Sequence, residues 1–212
     1  MPSMRNASNI MRAAQHTLER LLQETESADL VISCGSKQWF LHSNIIMIRS
    51  PFLKEEMAGM DGVQMKVIEV KNMDSKTMEQ VINYMHGIPI VLKVTKDGDN
   101  EDAYDLLEAA DRLRMEDMKT ELGGIIGGCI TVQNALELGW FGETFNNEVL
   151  LWACATFIAH NTSIKIDDDQ ASKSPKLLAR VLQRAQQSRE RENRMRENRA
   201  RRGMMKRVTF DR

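Results

Sequence analysis

The side chains best suited to chemistry in this chain are its histidines and cysteines, and their spacing does not fit catalysis or metal binding. They are His16, His42, His86, His160, Cys34, Cys129 and Cys154. No histidine has a second ligand at the short spacing that zinc sites use. Three widely separated cysteines predict reduced, buried thiols, and the apolar segments around Cys34 and Cys154 place these two in the core. His42 is predicted to be a structural residue at a strand end, with its ring hydrogen-bonded.

The sequence contains no motif of an activated nucleophile and no phosphate-binding loop. The Gly-x-Ser-x-Gly pattern is absent. The glycine-rich stretch 123–128 follows a predicted helix and lacks the lysine that holds phosphate, which predicts a broken or closely packed helix. The acidic run at 167–169 predicts a solvated linker rather than a cation site. The sequence therefore predicts a protein that is not an enzyme and holds no cofactor or metal.

The charge of the chain is split between an acidic body and a basic tail. Residues 173–212 hold 14 lysines and arginines against 4 acidic residues, a balance of +10, whereas residues 1–172 have a balance of −11. Between Ser188 and Arg202 the one apolar side chain larger than alanine is Met195, so this stretch cannot form a core. A charged, partly helical tail is predicted, with nonspecific attraction to nucleic acid as one function. Base stacking is not expected, since no aromatic residues interleave with the arginines.

Two short motifs lie near the end of the tail. A split basic cluster typical of nuclear import signals comprises Arg199, Arg201, Arg202, Lys206 and Arg207. A second motif, basic residues followed by Val-x-Phe, resembles the docking motif of protein phosphatase type one and comprises Lys206, Arg207, Val208 and Phe210. Such docking needs an extended segment that adds to a sheet edge, and a phosphate on Thr209 is expected to oppose it. We expect a protein of the nucleus or cytoplasm, because no apolar run approaches the roughly 18 to 20 residues of a bilayer span and no signal peptide is found.

Hydrophobic periodicity predicts mixed helices and short strands over the body. The predicted elements up to residue 94 are a helix from Asn9 to before Ser27, strands Ala28–Cys34 and Gln38–His42 joined by a tight turn, short helices from Ser43 and over Phe52–Met57, a strand at Lys66–Val70, a helix from Asp74 or Ser75 to Met85, and a short strand at Ile88–Val94. The later predictions are helices Asp102–Leu113, Met115–Ile130, Val132–Leu138 and Glu148–His160, a linker at 162–174, and a helix beginning after Pro175.

Several of these segments, taken in order, resemble a BTB/POZ domain. They are Ala28–Ile32, Trp39–His42, Arg49–Phe52, Val67–Val70, Val81–Gly87 and Leu106–Leu113. Downstream, Asn134-Ala135 and Phe157–Asn161 resemble the helical extension that follows BTB domains in ubiquitin-ligase adaptors. The resemblance implies an α+β BTB/POZ fold, a small β-sheet flanked by a cluster of α-helices, followed by a short helical extension and the basic tail. It also implies that the chain works by protein–protein interaction.

The first helix resembles the helix that packs across the partner subunit in BTB homodimers. Its predicted dimer-interface residues are Ile10, Ala14, Leu18, Leu21 and Leu22. This apolar stripe is larger than that of a free surface helix, and the alternative is that it packs within its own chain. The predicted organisation is an N-terminal helix at 1–27, a BTB/POZ domain at 28–130, a helical extension at 131–162, and an acidic linker with a basic tail at 163–212.

The resemblance further implies a face that meets a cullin ubiquitin-ligase scaffold. Its predicted residues are Phe52, Met57, Met60 and Met115. This chain departs from the family in two places: the loop at 57–62 lacks the hydrophobic-x-Glu motif of many cullin-binding members, and Ser43 stands where a basic residue often follows the strand-ending His. The leading prediction is a homodimerising adaptor that links a client to a cullin. The alternative is a nuclear or regulatory scaffold whose tail recruits protein phosphatase or nucleic acid without cullin binding.

Overall fold

The chain forms two compact units, Met1–Ile126 and Gly127–Arg212. The structure is a computed structural model, and it describes residues 4–92, 101–161 and 163–208. The elements in the first part of the chain are α1 Met4–Gln23, β1 Leu30–Cys34, β2 Lys37–Leu41, α2 Ser43–Arg49, α3 Pro51–Met57, β3 Lys66–Glu69, α4 Ser75–Met85, α5 Glu101–Arg112 and α6 Glu116–Gly127. Among the residues described, the first unit is thus a small sheet with a cluster of helices, as the sequence predicts.

The sheet of the first unit has the strand order β2-β1-β3. β1 and β2 form an antiparallel hairpin through Gly35 and Ser36, and Gly35 takes the left-handed backbone (φ +59°) that such a tight turn favours. β3 pairs with β1 in parallel, so a helical crossover must separate the two strands, and α2 and α3 supply it. Strand alternation turns Leu30 and Ile32 inward, where both are fully buried.

Local signals in the sequence fix where several helices begin and end. Ser50 caps α3, accepting a hydrogen bond from the Leu53 amide at 3.2 Å, and Pro51 occupies the first helical position. Asp74 caps α4 through the Lys76 amide at 2.7 Å. Gly87 ends the same helix region with a positive φ of +79°. These boundaries agree with the sequence predictions.

The core of the first unit lies between the sheet and the helices. Its largest fully buried side chains are Leu30, Ile32, Leu41, Ile46, Leu53, Met78, Ile82, Met85, Leu106, Leu107, Leu113 and Met118. The predicted inward face of α4, which also includes Val81, is confirmed by this burial. Several of the methionines are therefore ordinary core residues, because their flexible side chains fill irregular gaps.

The second unit is helical throughout its described part, with short connections. Its helices are α7 Ala135–Thr144, α8 Glu148–His160, α9 Asp168–Lys173 and α10 Pro175–Val208. α7 approaches α8 closely at Gly142, where a β-carbon would lie 2.9 Å from the Leu151 amide nitrogen. No helix among the described residues combines the length and apolar character that a bilayer span needs.

Four local predictions are wrong or incomplete. Residues 88–92 form no strand, and the remainder of that predicted strand lies outside the described residues. α7 begins at Ala135 rather than Val132, because Asn134 accepts the Thr131 amide hydrogen bond in a turn before the helix. α6 is not broken at Gly123 and Gly124 but runs on to Gly127, where the close packing predicted as the alternative is present, since a β-carbon there would lie 3.2 Å from Ala153 Cβ. The predicted linker contains α9, which Asp167 and Gln170 start with a reciprocal capping box.

Candidate functional site

The surface around α1 and α2 combines partly exposed apolar side chains from both helices. On α1, Leu18, Leu21 and Leu22 are half-buried and Ala14 is exposed, and the side chain of Ile10 lies outside the described residues. On α2, Ile48 is 83% exposed. We call Leu18, Leu21, Leu22, Ile45 and Ile48 the α1–α2 surface.

Both helices of the α1–α2 surface meet the end of α4. Ile48 lines a shallow cleft together with Tyr84 of α4. Leu18 covers Gly87 just beyond that helix, with its Cδ1 atom 3.6 Å from the place a β-carbon would occupy. Burial and the nearby Glu121 carboxylate raise the pKa of Tyr84 to about 12, so its hydroxyl is neutral at physiological pH. Arg49, Arg114, Glu116 and Asp117 also line this cleft, so the apolar side chains of the surface border charged ones, a mixture that is common where proteins contact one another.

A histidine, a serine and a glutamate meet at the junction between α1 and β2. His42 Nε2 lies 3.0 Å from Ser27 Oγ and 3.4 Å from a Glu24 carboxylate oxygen, and Ser27 also donates to Glu24. A catalytic triad needs the serine and the carboxylate on opposite ring nitrogens. Here both face the same nitrogen, while Nδ1 is buried with no hydrogen-bond partner among the described residues. The cluster therefore joins the end of α1 to the sheet, which agrees with the predicted structural role of His42.

Asp29, at the start of β1, gathers three donors. It accepts hydrogen bonds from the Ser43 amide at 2.7 Å, the Ser43 hydroxyl at 2.5 Å and Lys66 Nζ at 3.3 Å. Burial tends to raise the pKa of Asp29, but the bonds from Ser43 and Lys66 outweigh it and hold the pKa below its usual value. Sequence reasoning missed Lys66 as the cation at this position. Lys66 comes close to Asp29 because β1 and β3 pair in a parallel register that places Lys66 beside Leu30. The sequence does not show which strands pair, so it could not predict this contact.

A model of the BTB/POZ domain family matches residues 18–126. The chain belongs to the BTB/POZ domain family. The match ends where the first unit ends, and BTB domains generally serve as protein–protein interaction modules that homodimerise. The family as a whole is a non-enzymatic one.

Two curated proteins match this BTB chain at low identity. BTB/POZ and MATH domain-containing protein 4 of Arabidopsis thaliana is 20% identical over 66% of this chain and 32% of its own length. Kelch repeat and BTB domain-containing protein 4 of Macaca fascicularis is 19% identical over 71% of this chain and 27% of its own length. The chain thus spans about a third or less of these relatives.

Two solved BTB domains are similar in structure to part of the chain. The BTB domain of human Gigaxonin matches with a TM-score of 0.42 and 19% identity, over 59% of this chain and 94% of that structure. The BTB domain of zebrafish PATZ1 matches with a TM-score of 0.46 and 16% identity, over 59% and 96%.

The structure corrects the predicted cullin face of this BTB domain. Met57 and Met115 are 2% and 3% exposed, so their side chains belong to the core and cannot contact a partner. Phe52 and Met60 are half-buried and retain some exposed surface. Sequence periodicity could not separate these pairs, because all four residues occupy apolar positions of short helices and loops.

Two thiols and two histidines of the BTB chain are held by burial or by their own backbone. Burial raises the pKa of Cys34 and brings that of Cys154 to about 12, so both stay protonated and unreactive. Their predicted burial is confirmed, whereas Cys129, which the sequence also predicts to be buried, is half-buried. His160 and His86 each place Nδ1 within 2.8 Å of a backbone carbonyl of their own helices. No group of metal-ligating side chains occurs in the described part of the chain.

Beyond the BTB match, α10 is anchored along α8 and then continues past it. Arg180 and Arg184 lie 4.5 and 4.3 Å above the Trp152 ring, and Arg180 pairs with Glu148 at 2.8 Å. The last contact of this series joins Ser188 Oγ to His160 Nε2 at 3.3 Å, where α8 ends. α10 extends a further 20 residues, about 30 Å of helix.

The predicted tail motifs fall in and beyond this extension. Residues 199–208, which include the whole predicted import cluster, belong to α10. Val208 is the last residue of the helix, whereas phosphatase docking needs an extended segment, so three of the four motif residues, Lys206, Arg207 and Val208, differ from their predicted conformation. Thr209 and Phe210 lie outside the described residues.

Proposed function

We propose that this BTB protein is a homodimeric adaptor and that its α1–α2 surface is the dimer interface. The observation that carries the proposal is Ile48, an isoleucine 83% exposed on the short helix α2, which meets the end of α4 as the half-buried Leu18 of α1 does. Burying apolar surface stabilises a protein by roughly 25 cal/mol per Å², and an exposed aliphatic side chain does not gain this free energy. A contiguous group of exposed aliphatic side chains therefore indicates an interaction site. A second copy that presents the same surface buries both sets at once.

The proposal is tested by measuring mass in solution, by light scattering coupled to size exclusion. Ile48→Asp is expected to give a monomer with an unchanged far-ultraviolet circular dichroism spectrum, because Ile48 contributes little to the core. Leu18→Asp with Leu22→Asp is expected to do the same or to unfold the chain. Val149→Asp, at a 40% exposed residue of α8, is the matched control and should keep the wild-type mass. A dimeric Ile48→Asp variant would contradict this interface.

The finer proposal is that the dimer links a client to a cullin. The BTB family and the half-exposed Phe52 and Met60 support it, while the buried Met57 and Met115 reduce the surface available. The test is a pull-down from cell extract, read by mass spectrometry, with full-length protein and a version ending at Ser174. Cullin captured by both, and lost on Met60→Asp with Asp61→Lys, supports the adaptor. Absence of cullin from both contradicts it.

The competing proposal is a scaffold without cullin whose tail recruits a polyanion or a phosphatase. It is favoured by the α10 extension, where residues 189–208 contain nine basic and three acidic residues. Glu190, Arg191, Arg194 and Met195, whose exposure is described there, are all exposed. Double-stranded DNA is expected to bind the full chain with steep salt dependence and not a version ending at Ser188. Phosphatase recruitment predicts loss of captured phosphatase on Val208→Ala with Phe210→Ala.

A further inference from the structure

The second unit contains an apolar cleft that the proposed dimer does not use. It has a volume of about 360 Å³ and opens between α7, α9 and the start of α10. Its apolar lining consists of Leu136, Trp140, Ile166, Ala171, Leu177 and Leu178. Trp140 is 44% exposed at the edge of the cleft, although a tryptophan of a helical unit normally covers itself with neighbouring side chains.

Close packing between α7 and α10 builds the cleft floor. Leu177 is 3% exposed and lies against Gly139, where a β-carbon would come within 2.5 Å of Leu177 Cδ2. The Glu143 carboxylate accepts hydrogen bonds from the amides of Lys176 at 3.2 Å and Leu177 at 3.0 Å, which fixes the beginning of α10. The walls are therefore held apart by fixed contacts, so the cleft is preformed.

The apolar residues that keep some exposed surface along the cleft repeat at helical spacing. Leu136 and Trp140 are four residues apart on α7, and Leu178 and Leu182 are four apart on α10. Leu182, one turn beyond the cleft lining, is 62% exposed and extends the apolar strip. Two such strips facing one another form the kind of groove into which an amphipathic helix lays its apolar face. No strand borders the cleft, so an extended peptide finds no sheet edge there.

Two charged side chains line the cleft, Glu137 and Lys173. The charge of Lys173 is neutralised by Asp169, whose carboxylate lies 2.6 Å from its Nζ. Glu137 on α7 is exposed and forms no ion pair with any residue that the structure describes. An unpaired carboxylate beside an apolar groove favours a ligand with positive charge next to its apolar face.

We infer that this cleft docks an amphipathic helix of a client protein, with large apolar side chains at i, i+4 and i+7 and with Lys or Arg beside them. The inference rests on the proposed adaptor function, since it assigns the client to the second unit and leaves the α1–α2 surface to the dimer. Trp140 is the central contact, and Glu137 orients the helix through its basic residues.

The test uses a phage-displayed library of helix-forming peptides of about 15 residues, selected against the full chain. Enriched peptides are expected to carry the apolar spacing and flanking Lys or Arg. Their affinity, measured by fluorescence anisotropy, should fall at least tenfold in Trp140→Ser. Glu137→Lys should weaken binding severalfold at low salt, with a smaller effect at high salt. Val149→Ser, outside the cleft, is the matched control and should bind as the wild type does.

Each remaining outcome is decisive. No enrichment, or peptides that bind Trp140→Ser as well as the wild type, overturns the inference. Enriched acidic peptides overturn the charge assignment. A Trp140→Ser variant whose mass falls to a monomer makes the cleft a contact between copies instead. Ile48→Asp should bind the selected peptides at wild-type affinity, so a failure of the dimer proposal and a failure of this one remain distinguishable.

Discussion

At the residue scale, stability depends on a few buried polar groups whose partners come from distant parts of the chain. Ser50 joins α3 to the end of α5, because its Oγ donates to the Leu113 carbonyl at 2.7 Å while accepting from Leu53. His86 is fully buried after α4, and its Nε2 has no hydrogen-bond partner among the described residues. Both groups are fully buried, so substitutions at them report on folding.

Ser50→Ala is expected to lower the free energy of unfolding by about 1–3 kcal/mol, because it leaves a buried carbonyl and a helix-start amide without a partner. Thr120→Ala is the matched control, since its hydroxyl makes the same kind of bond to the Glu116 carbonyl at 2.9 Å on an exposed face. That control should change stability by less than about 0.5 kcal/mol. Urea unfolding followed by circular dichroism measures both, and equal effects would refute the structural role of Ser50.

His86 predicts a loss of stability in mild acid. Burial lowers the pKa of His86, so the folded state binds its proton less readily than the unfolded chain, whose histidine titrates near 6.5. The stability is fully present above about pH 6.5 and falls as the pH drops from there toward the folded pKa. His86→Gln keeps a donor for the Ile82 carbonyl but does not titrate. Its unfolding midpoint in urea should therefore change less between about pH 6.5 and 5 than that of the wild type; an identical slope would refute the assignment.

At the element scale, close helix contacts depend on particular glycines. Gly139 lets Leu177 pack onto α7, and Gly142 lets α8 approach. Sequence patterns placed α8 at its observed bounds, because Asn147 supplies a cap and the apolar run ends at His160. They could not separate these packing glycines from the freely exposed Gly124, since packing depends on which helix arrives from elsewhere in the chain.

Gly139→Ala is expected to destabilise the second unit by about 1–3 kcal/mol, because the new β-carbon displaces Leu177 and the beginning of α10. The same variant should bind cleft-selected peptides more weakly. Gly124→Ala, whose β-carbon meets nothing within 4 Å on a helix, is the control and should stabilise its helix by up to about 1 kcal/mol. Thermal unfolding measures both changes. A stabilised Gly139→Ala would show that Leu177 does not rest on α7.

At the scale of the whole molecule, the chain combines a BTB module, a helical unit and a long basic helix. The acidic balance of residues 1–172 and the basic balance of the tail favour a chain that contacts different partners through different parts. In the proposed arrangement the first unit brings two copies together, so each client cleft and each basic helix is present twice, which raises avidity without new contacts.

Dimerisation predicts a concentration-dependent melting temperature. Mass action stabilises a folded dimer as protein concentration rises, whereas a monomer melts at a fixed temperature. The wild type is therefore expected to melt at a higher temperature at high concentration, and Ile48→Asp should show no such dependence. The measurement is differential scanning calorimetry over a hundredfold range of protein concentration. Over that range mass action changes the stability of a folded dimer by about 3 kcal/mol. A wild-type melting temperature independent of concentration would contradict the dimer.

The sequence by itself determined the features that depend on neighbouring residues. Three such features are the Gly35–Ser36 hairpin, the Ser50-Pro51 break and the Asp74 cap. Each arises from local hydrogen bonds and backbone preferences, so a few neighbouring residues are enough to predict it. Together with the ordered motifs of the first unit they were enough to predict the BTB fold. The tertiary structure alone decided which apolar residues remain available to partners. Met57 and Met115 are buried while Ile48 is exposed, and Lys66 reaches Asp29, because burial and charge pairing depend on elements that are distant in sequence and meet only after folding.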